Sequence, residues 1–244
     1  MVTRPPFRAP HHSISRAGLL GSARLLPGEV SLAHRGVLLL DEVPEFSRQV
    51  LEMLRGPLEE HKVCISRAEG SVVFPAFCIV VATANPCPCG YWGHPVRACS
   101  CTDGQLQRYR QRISGPLLDR IDLRVEMEPL PLSAPEGASA RVPLREFRHR
   151  VRAARRVQAE RNATSVGWTN AESSCTSLLR SGLYQPNTMR RLDQACDAFS
   201  LSARARSRLI RVARTVADLE ESAEVGVEHL NEALLFRETS WGAA

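Results

Sequence analysis

The spacing of apolar positions changes character part-way along the chain. Up to Met127, short apolar runs that suit strands alternate with stretches of helical spacing; beyond Pro143 only the helical spacing persists. Val37-Leu38-Leu39-Leu40, closed by Asp41-Glu42, predicts a central parallel strand buried on both faces. Ser47 is placed to cap a helix carrying Val50, Leu51, Leu54 and Leu58, interrupted or kinked at Gly56-Pro57. Val63-Cys64-Ile65 and Val72-Val73-Phe74 flank Arg67-Ala68-Glu69-Gly70 and predict a hairpin turning at the glycine. Phe77 to Ala84 predicts a second buried strand ending at Asn85-Pro86. Asp103 opens a helix with Leu106, Tyr109 and Ile113, and Ile121 to Met127 alternates like a further strand. Met1 to Leu26, rich in Pro, Arg and His, reads as loop with one short helix near Ser15 to Leu20.

Strands alternating with helices give an α/β layered unit, placed over residues 1–130. Pro129 to Pro143 is dense in Pro, Ala, Ser and Gly, so residues 131–143 are read as a linker and 144–244 as an all-helical domain. Within that domain, Leu144 to Asn162 is an arginine-rich helix with Phe147, Val151 and Val157 as its sparse apolar positions. Ser202 to Glu221 is amphipathic through Leu209, Val212, Val216 and Leu219, and a last helix runs from about Val227 to Phe236.

The chain has 244 residues, 43% hydrophobic and 24% charged, which suits one large or two modest globular domains and excludes disordered and fibrous classes. Its longest near-continuous apolar run, Phe77 to Ala84, is too short for a bilayer span, and no apolar core follows a basic start, so the expected setting is cytosolic. The 32 Lys+Arg against 26 Asp+Glu leave +6, which tolerates an anionic partner. Lys62 is the only lysine. A P-loop, G-x-x-x-x-G-K-[ST], needs a lysine behind glycines, and Glu60-His61-Lys62-Val63 is no such motif.

Asp41 and Glu42, delivered at the C-terminal end of a strand, stand where ligands bind in open α/β sheets. In a phosphoryl-transfer site the Asp holds magnesium through water and the Glu polarises the attacking water; the alternative is a pair of solvated acids. Asn85 is placed to orient water if its strand neighbours the first, or simply to cap a turn before Pro86. Arg120, in Leu117-Leu118-Asp119-Arg120-Ile121-Asp122, is a forked cation just ahead of the strand predicted from Ile121. Arg204, Arg208 and Arg211 share one helix face. Of eight cysteines, Cys87, Cys89, Cys99 and Cys101 form two C-x-C pairs nine residues apart, which suits one tetrahedral zinc or a set of free loop thiols.

Several stretches carry a resemblance. Pro6 to Ser15, Pro27 to His34, Val37 to Glu42, Asn85 to Gly90, Ser114 to Asp122 and Ala213 to Leu219 together resemble the magnesium-chelatase-like AAA+ ATPases of the ComM/YifB type, over nearly the whole chain. The resemblance implies a ring-forming, hexameric ATPase that uses ATP and Mg2+ to drive DNA branch migration in natural transformation. It implies Asp41 and Glu42 as Walker B acids, Asn85 as the first sensor, Arg120 as an arginine finger acting on the adjacent subunit, and Arg204 as the second sensor in a helical lid. The hairpin from Lys62 to Phe74 matches a pore-facing insertion, where Lys62 and Arg67 meet DNA phosphates irrespective of sequence. Relatives of this type carry a Lon-like domain and the P-loop ahead of the matched region, so the chain is similar to their C-terminal portion: a partial AAA+ core, then an all-α lid. A sheet missing a central strand exposes apolar edges, so marginal stability is expected. Three other readings stand beside the motor: a non-catalytic association module, a magnesium chelatase motor subunit, and a zinc-stapled, arginine-rich nucleic-acid binder.

Overall fold

A computed structural model describes residues 4–22, 24–67, 70–127, 143–162 and 168–237, and the chain divides into two compact units, the first ending at Ile121 and the second beginning at Asp122. In the first, β1 (Phe7–Arg8), β2 (Val37–Leu40) and β5 (Ile79–Ala82) form a parallel sheet with β2 in the middle, paired Phe7 to Val37 on one side and Leu40 to Ala82 on the other. Two short helices, α1 (Arg16–Leu20) and α2 (Glu29–Leu32), lie between β1 and β2 in sequence, and α3 (Arg48–Met53) and α4 (Arg55–Glu60) follow β2. The Ser47 hydroxyl accepts a hydrogen bond from the Val50 N–H, so the cap read from the sequence forms, and the Ser15 hydroxyl caps α1 in the same way, accepting from the Gly18 N–H. The helical path breaks at Leu54, before Gly56-Pro57; Pro57 then sits in the first turn of α4, where its missing N–H has no intrahelical acceptor to lose.

The predicted hairpin is β3 (Lys62–Arg67) against β4 (Gly70–Pro75), antiparallel, with Val63 opposite Phe74 and Ile65 opposite Val72. Val63 and Ile65 turn into the same apolar core as Leu19, Leu38, Leu40, Phe46, Leu51 and Leu54. Gly36 admits β1 to the sheet: a Cβ there would lie 1.9 Å from the Pro6 carbonyl oxygen, which accepts from the Val37 N–H at 2.8 Å. Beyond β5 come α5 (Asp103–Arg110), capped by Thr102 and Gln105, and α6 (Gly115–Leu118).

Two strand expectations are corrected. The strands are not buried on both faces: Leu38, Leu40 and Val80 face the core, but Ile79 and Val81 are 56% and 44% exposed, because the pleat sends alternate residues to the face away from it. No strand forms over Ile121 to Met127. Its alternation meets no neighbouring strand among the described residues, although the Arg124 N–H donates to the Phe236 carbonyl, and Leu123, Val125 and Met127 stay exposed.

The second unit is helical among its described residues: α7 (Leu144–Arg161), α8 (Cys175–Arg180), α9 (Pro186–Ala198), α10 (Ala203–Leu219) and α11 (Val227–Leu235). Leu178, Leu192, Leu209, Ile210 and Leu230 make its core, and the Ser202 hydroxyl caps α10. In α7 the sparse apolar positions Phe147, Val151 and Val157 are exposed, while Ala154 and Gln158 are buried. The linker read over 131–143 lies outside the described residues except for Pro143, which opens α7. No helix among the described residues is long and apolar enough to cross a membrane.

Candidate functional site

Because β2 and β5 are parallel neighbours in register, Asp41 and Glu42 emerge at the same end of the sheet as Thr83 and Asn85. The pairing continues one step past the strands: the Thr83 N–H donates to the Leu40 carbonyl at 3.0 Å, and the Val43 N–H to the Thr83 carbonyl at 2.9 Å. The Thr83 hydroxyl then organises both acids. It donates to Asp41 Oδ1 at 2.5 Å and accepts from the Glu42 N–H at 3.0 Å. Glu42 itself has a left-handed backbone (φ 53°, ψ 52°), a sparsely populated conformation for a side chain with a Cβ that recurs at functional sites. Asp41, Glu42 and Asn85 are all exposed, so these groups are within reach of solvent and ligand.

Residues that the linear sequence did not flag brace this end of the sheet. The Arg112 guanidinium donates to the Pro44 carbonyl at 2.6 Å and lies 3.4 Å from Glu45 Oε2, holding the turn after Glu42. Tyr109, buried on α5, stands against the Asn85 backbone; burial and then the charge of Glu45 push its hydroxyl pKa up, and the Asn85 N–H partly offsets them. An open cleft of about 570 Å3 beside it is lined by His12, Arg16, Glu45, Ser47, Arg48 and Arg112 among others. Thr83 carries no signal in the linear sequence, since its role depends on the register between β2 and β5.

The other expected site residues lie apart from this constellation. Arg120 is buried, its Nη2 2.6 Å from Glu59 Oε2 and its Nη1 donating to the Pro116 carbonyl at 2.7 Å, so its fork is engaged within its own unit. Arg204 is exposed near the start of α10 in the second unit, where Arg208 lies 3.4 Å from Asp122 and Arg211 donates to the Ser173 carbonyl at 3.1 Å. Lys62 opens β3 with its Nζ 3.6 Å from Glu60 Oε2; Arg67 closes that strand, but its side chain lies outside the described residues. Cys87, Cys89, Cys99 and Cys101 converge, with all four sulfurs within 4.8 Å of one another. The N–H groups of Tyr91 and Ser100 hold the Cys89 thiol down to about 5.

A family profile described as magnesium chelatase, subunit ChlI, matches residues 1–134. The chain belongs to the magnesium-chelatase family. The C-terminal profile of the same subunit matches residues 143–237, so the magnesium-chelatase likeness runs through both units. An uncharacterized protein of Mycobacterium tuberculosis is 42% identical over 98% of the chain and 47% of its own length. The competence protein ComM of Haemophilus influenzae and the uncharacterized protein YifB of Escherichia coli are each 40% identical, over 95% of the chain and 45% of their own lengths. The chain therefore spans about half the length of the curated relatives it matches. Membership in this family accounts for the parallel α/β unit and the helical unit as part of an AAA+ core with its helical domain, and it implies use of nucleotide and Mg2+. The residues fit the cation: Asp41 is an exposed carboxylate with Oδ1 bonded to Thr83, beside a second exposed carboxylate, Glu42.

Proposed function

We propose that the chain supplies the water-activating side of an AAA+ ATPase site, in a cytoplasmic hexameric ring that couples ATP hydrolysis to DNA branch migration in natural transformation. The observation that carries the reading is the Thr83 hydroxyl joining Asp41 and Glu42 at the ends of adjacent parallel strands, with Asn85 two residues further on. Asp41 would hold magnesium, which would supply charge neutralisation at the phosphates. Thr83 fixes the Asp41 carboxylate for that task. Glu42, turned by its left-handed backbone, polarises the attacking water, and the Asn85 amide orients that water. Arg120 serves as the finger toward the adjacent subunit, which requires it to leave Glu59, and Arg204 serves as the second sensor of a lid over residues 144–244, joined through 131–143 to a core over 1–130. Lys62 and Arg67, on the hairpin, take DNA phosphates. The competence role rests on likeness to the Haemophilus protein.

Glu42→Gln in the native gene product is the test. DNA-stimulated ATP turnover is expected to fall at least ~100-fold, with nucleotide still bound, because only the proton acceptor is lost. Turnover at the unmodified rate would remove Glu42 from the mechanism. One observation favours a second reading, a non-catalytic association module: Lys62 is the only lysine among these 244 residues, so they contain no P-loop to cradle phosphates. On that reading a fluorescent ATP analogue binds the 244-residue chain only when a P-loop-bearing relative is mixed with it, and tight binding by the chain alone would exclude it.

A further inference from the structure

We infer that Cys87, Cys89, Cys99 and Cys101 hold one structural zinc ion that staples the end of the sheet to α5. The connection from Thr83 to Thr102 contains neither strand nor helix, and Cys87 is its one buried residue. A connection of this length without its own secondary structure is unusual, and with so little apolar burial it needs another source of order. The thiols provide one. Sγ to Sγ separations are 3.4 Å for Cys87 and Cys89, 3.7 Å for Cys87 and Cys99, and 3.5 Å for Cys89 and Cys99. Four thiolates on a tetrahedral zinc with bonds of about 2.3 Å stand about 3.8 Å from each other, so small outward shifts would accommodate the ion. These separations are far beyond a covalent S–S bond of about 2.05 Å, and all eight cysteines are free. An iron–sulfur cluster would spread its thiolates over several irons, further apart than here, which leaves a single ion in an all-sulfur site.

The local backbone is shaped for ligation. The Gly90 N–H donates to the Cys87 carbonyl at 3.0 Å, Gly90 has φ +82°, a left-handed turn that lets Cys89 double back on Cys87, and the Trp92 N–H points at Cys87 Sγ at 3.3 Å. Four protein ligands leave no open position, so the ion is structural. Cys87 lies two residues beyond Asn85 and Cys101 immediately precedes Thr102, the cap of α5. The staple therefore fixes Asn85 from one side while Tyr109 of α5 backs it from the other.

Elemental analysis of the native protein, purified without added metal, is expected to find about one zinc per chain. Cys87→Ser with Cys101→Ser should lose most of that zinc, whereas Cys64→Ser, outside the cluster, should keep it. Because a double variant is prone to misfold, the unmodified protein is also stripped with a chelator: proteolysis should then cut between Thr83 and Thr102, and added zinc should restore protection. Cobalt in place of zinc should give the ligand-field spectrum of a tetrahedral thiolate site. Metal-free protein with four reactive thiols, bound iron, or disulfides among these cysteines would each overturn the assignment. None of these readouts depends on ATP hydrolysis.

Discussion

Two aspartates show how differently the two units use charge. Asp41, in the first unit, is exposed and held by one neutral hydroxyl from Thr83. Asp218, in the second, is 1% exposed and accepts from Arg214 Nε at 3.0 Å, from Asn170 Nδ2 at 2.8 Å and from the Arg161 fork. Arg214, 0% exposed, spends its remaining donors on the Ala223 and Ser222 carbonyls, so the network ties α7, α10 and the turn after α10 together. A buried charge with every partner in place orders a core, while an exposed charge with one light restraint stays available to a ligand. The same residue type is thus structural in one unit and free for chemistry in the other.

The sharpest way to break this contrast is to remove each carboxylate. Asp218→Ala strands two arginines, one wholly buried, and is expected to cost about 3–5 kcal/mol in urea unfolding of the second unit. Asp41→Ala removes an exposed group and is expected to stay within about 0.5 kcal/mol. Comparable losses at both sites would abolish the distinction.

A smaller effect is expected where the first unit relies on close approach instead of charge. Gly36→Ala forces a methyl group against the Pro6 carbonyl and ring, and should cost about 1–3 kcal/mol while loosening β1. Gly56→Ala, in α4, meets nothing within 4 Å and should be neutral or stabilising by up to about 1 kcal/mol. Hydrogen exchange at the Val37 N–H separates the two, since that group donates to Pro6 and should lose protection only in the Gly36 variant.

These cases also mark how far the sequence was legible. The Val37 to Leu40 strand, the Ser47 cap and the β3–β4 hairpin rest on local spacing and short hydrogen bonds, and each appears where the pattern placed it. What failed depended on a distant partner. Ile121 to Met127 alternates correctly but has no strand to pair with, and the exposure of Ile79 and Val81 depends on what covers the sheet, which no run of residues encodes. At the site, Asp41, Glu42 and Asn85 were legible as strand ends. Thr83 was not, because its hydroxyl matters only through the register of β2 with β5, and the Arg120 pairing joins a residue to Glu59 across 61 positions.

The smallest expected effect concerns an ion pair that anchors β1. Arg8 grips Glu29 with both arms of its fork, Nε to Oε2 and Nη2 to Oε1 each at 2.6 Å, linking a two-residue edge strand to α2. The Arg8 hydrogen bonds lower the Glu29 pKa, burial pushes the other way, and the Arg8 charge adds to the lowering. A carboxyl whose folded pKa lies below its unfolded value binds fewer protons when folded, so its contribution is present above the unfolded value of about 4.3 and fades as pH falls through the folded one. Arg8 is partly exposed, so screening keeps the contribution below about 1 kcal/mol. Glu29→Gln should therefore be less stable than the unmodified chain at neutral pH, and the gap should close on acidification below the unfolded carboxylate range. A gap that persists in acid would mean that Glu29 acts through packing, and that charge contributes nothing at this edge of the sheet.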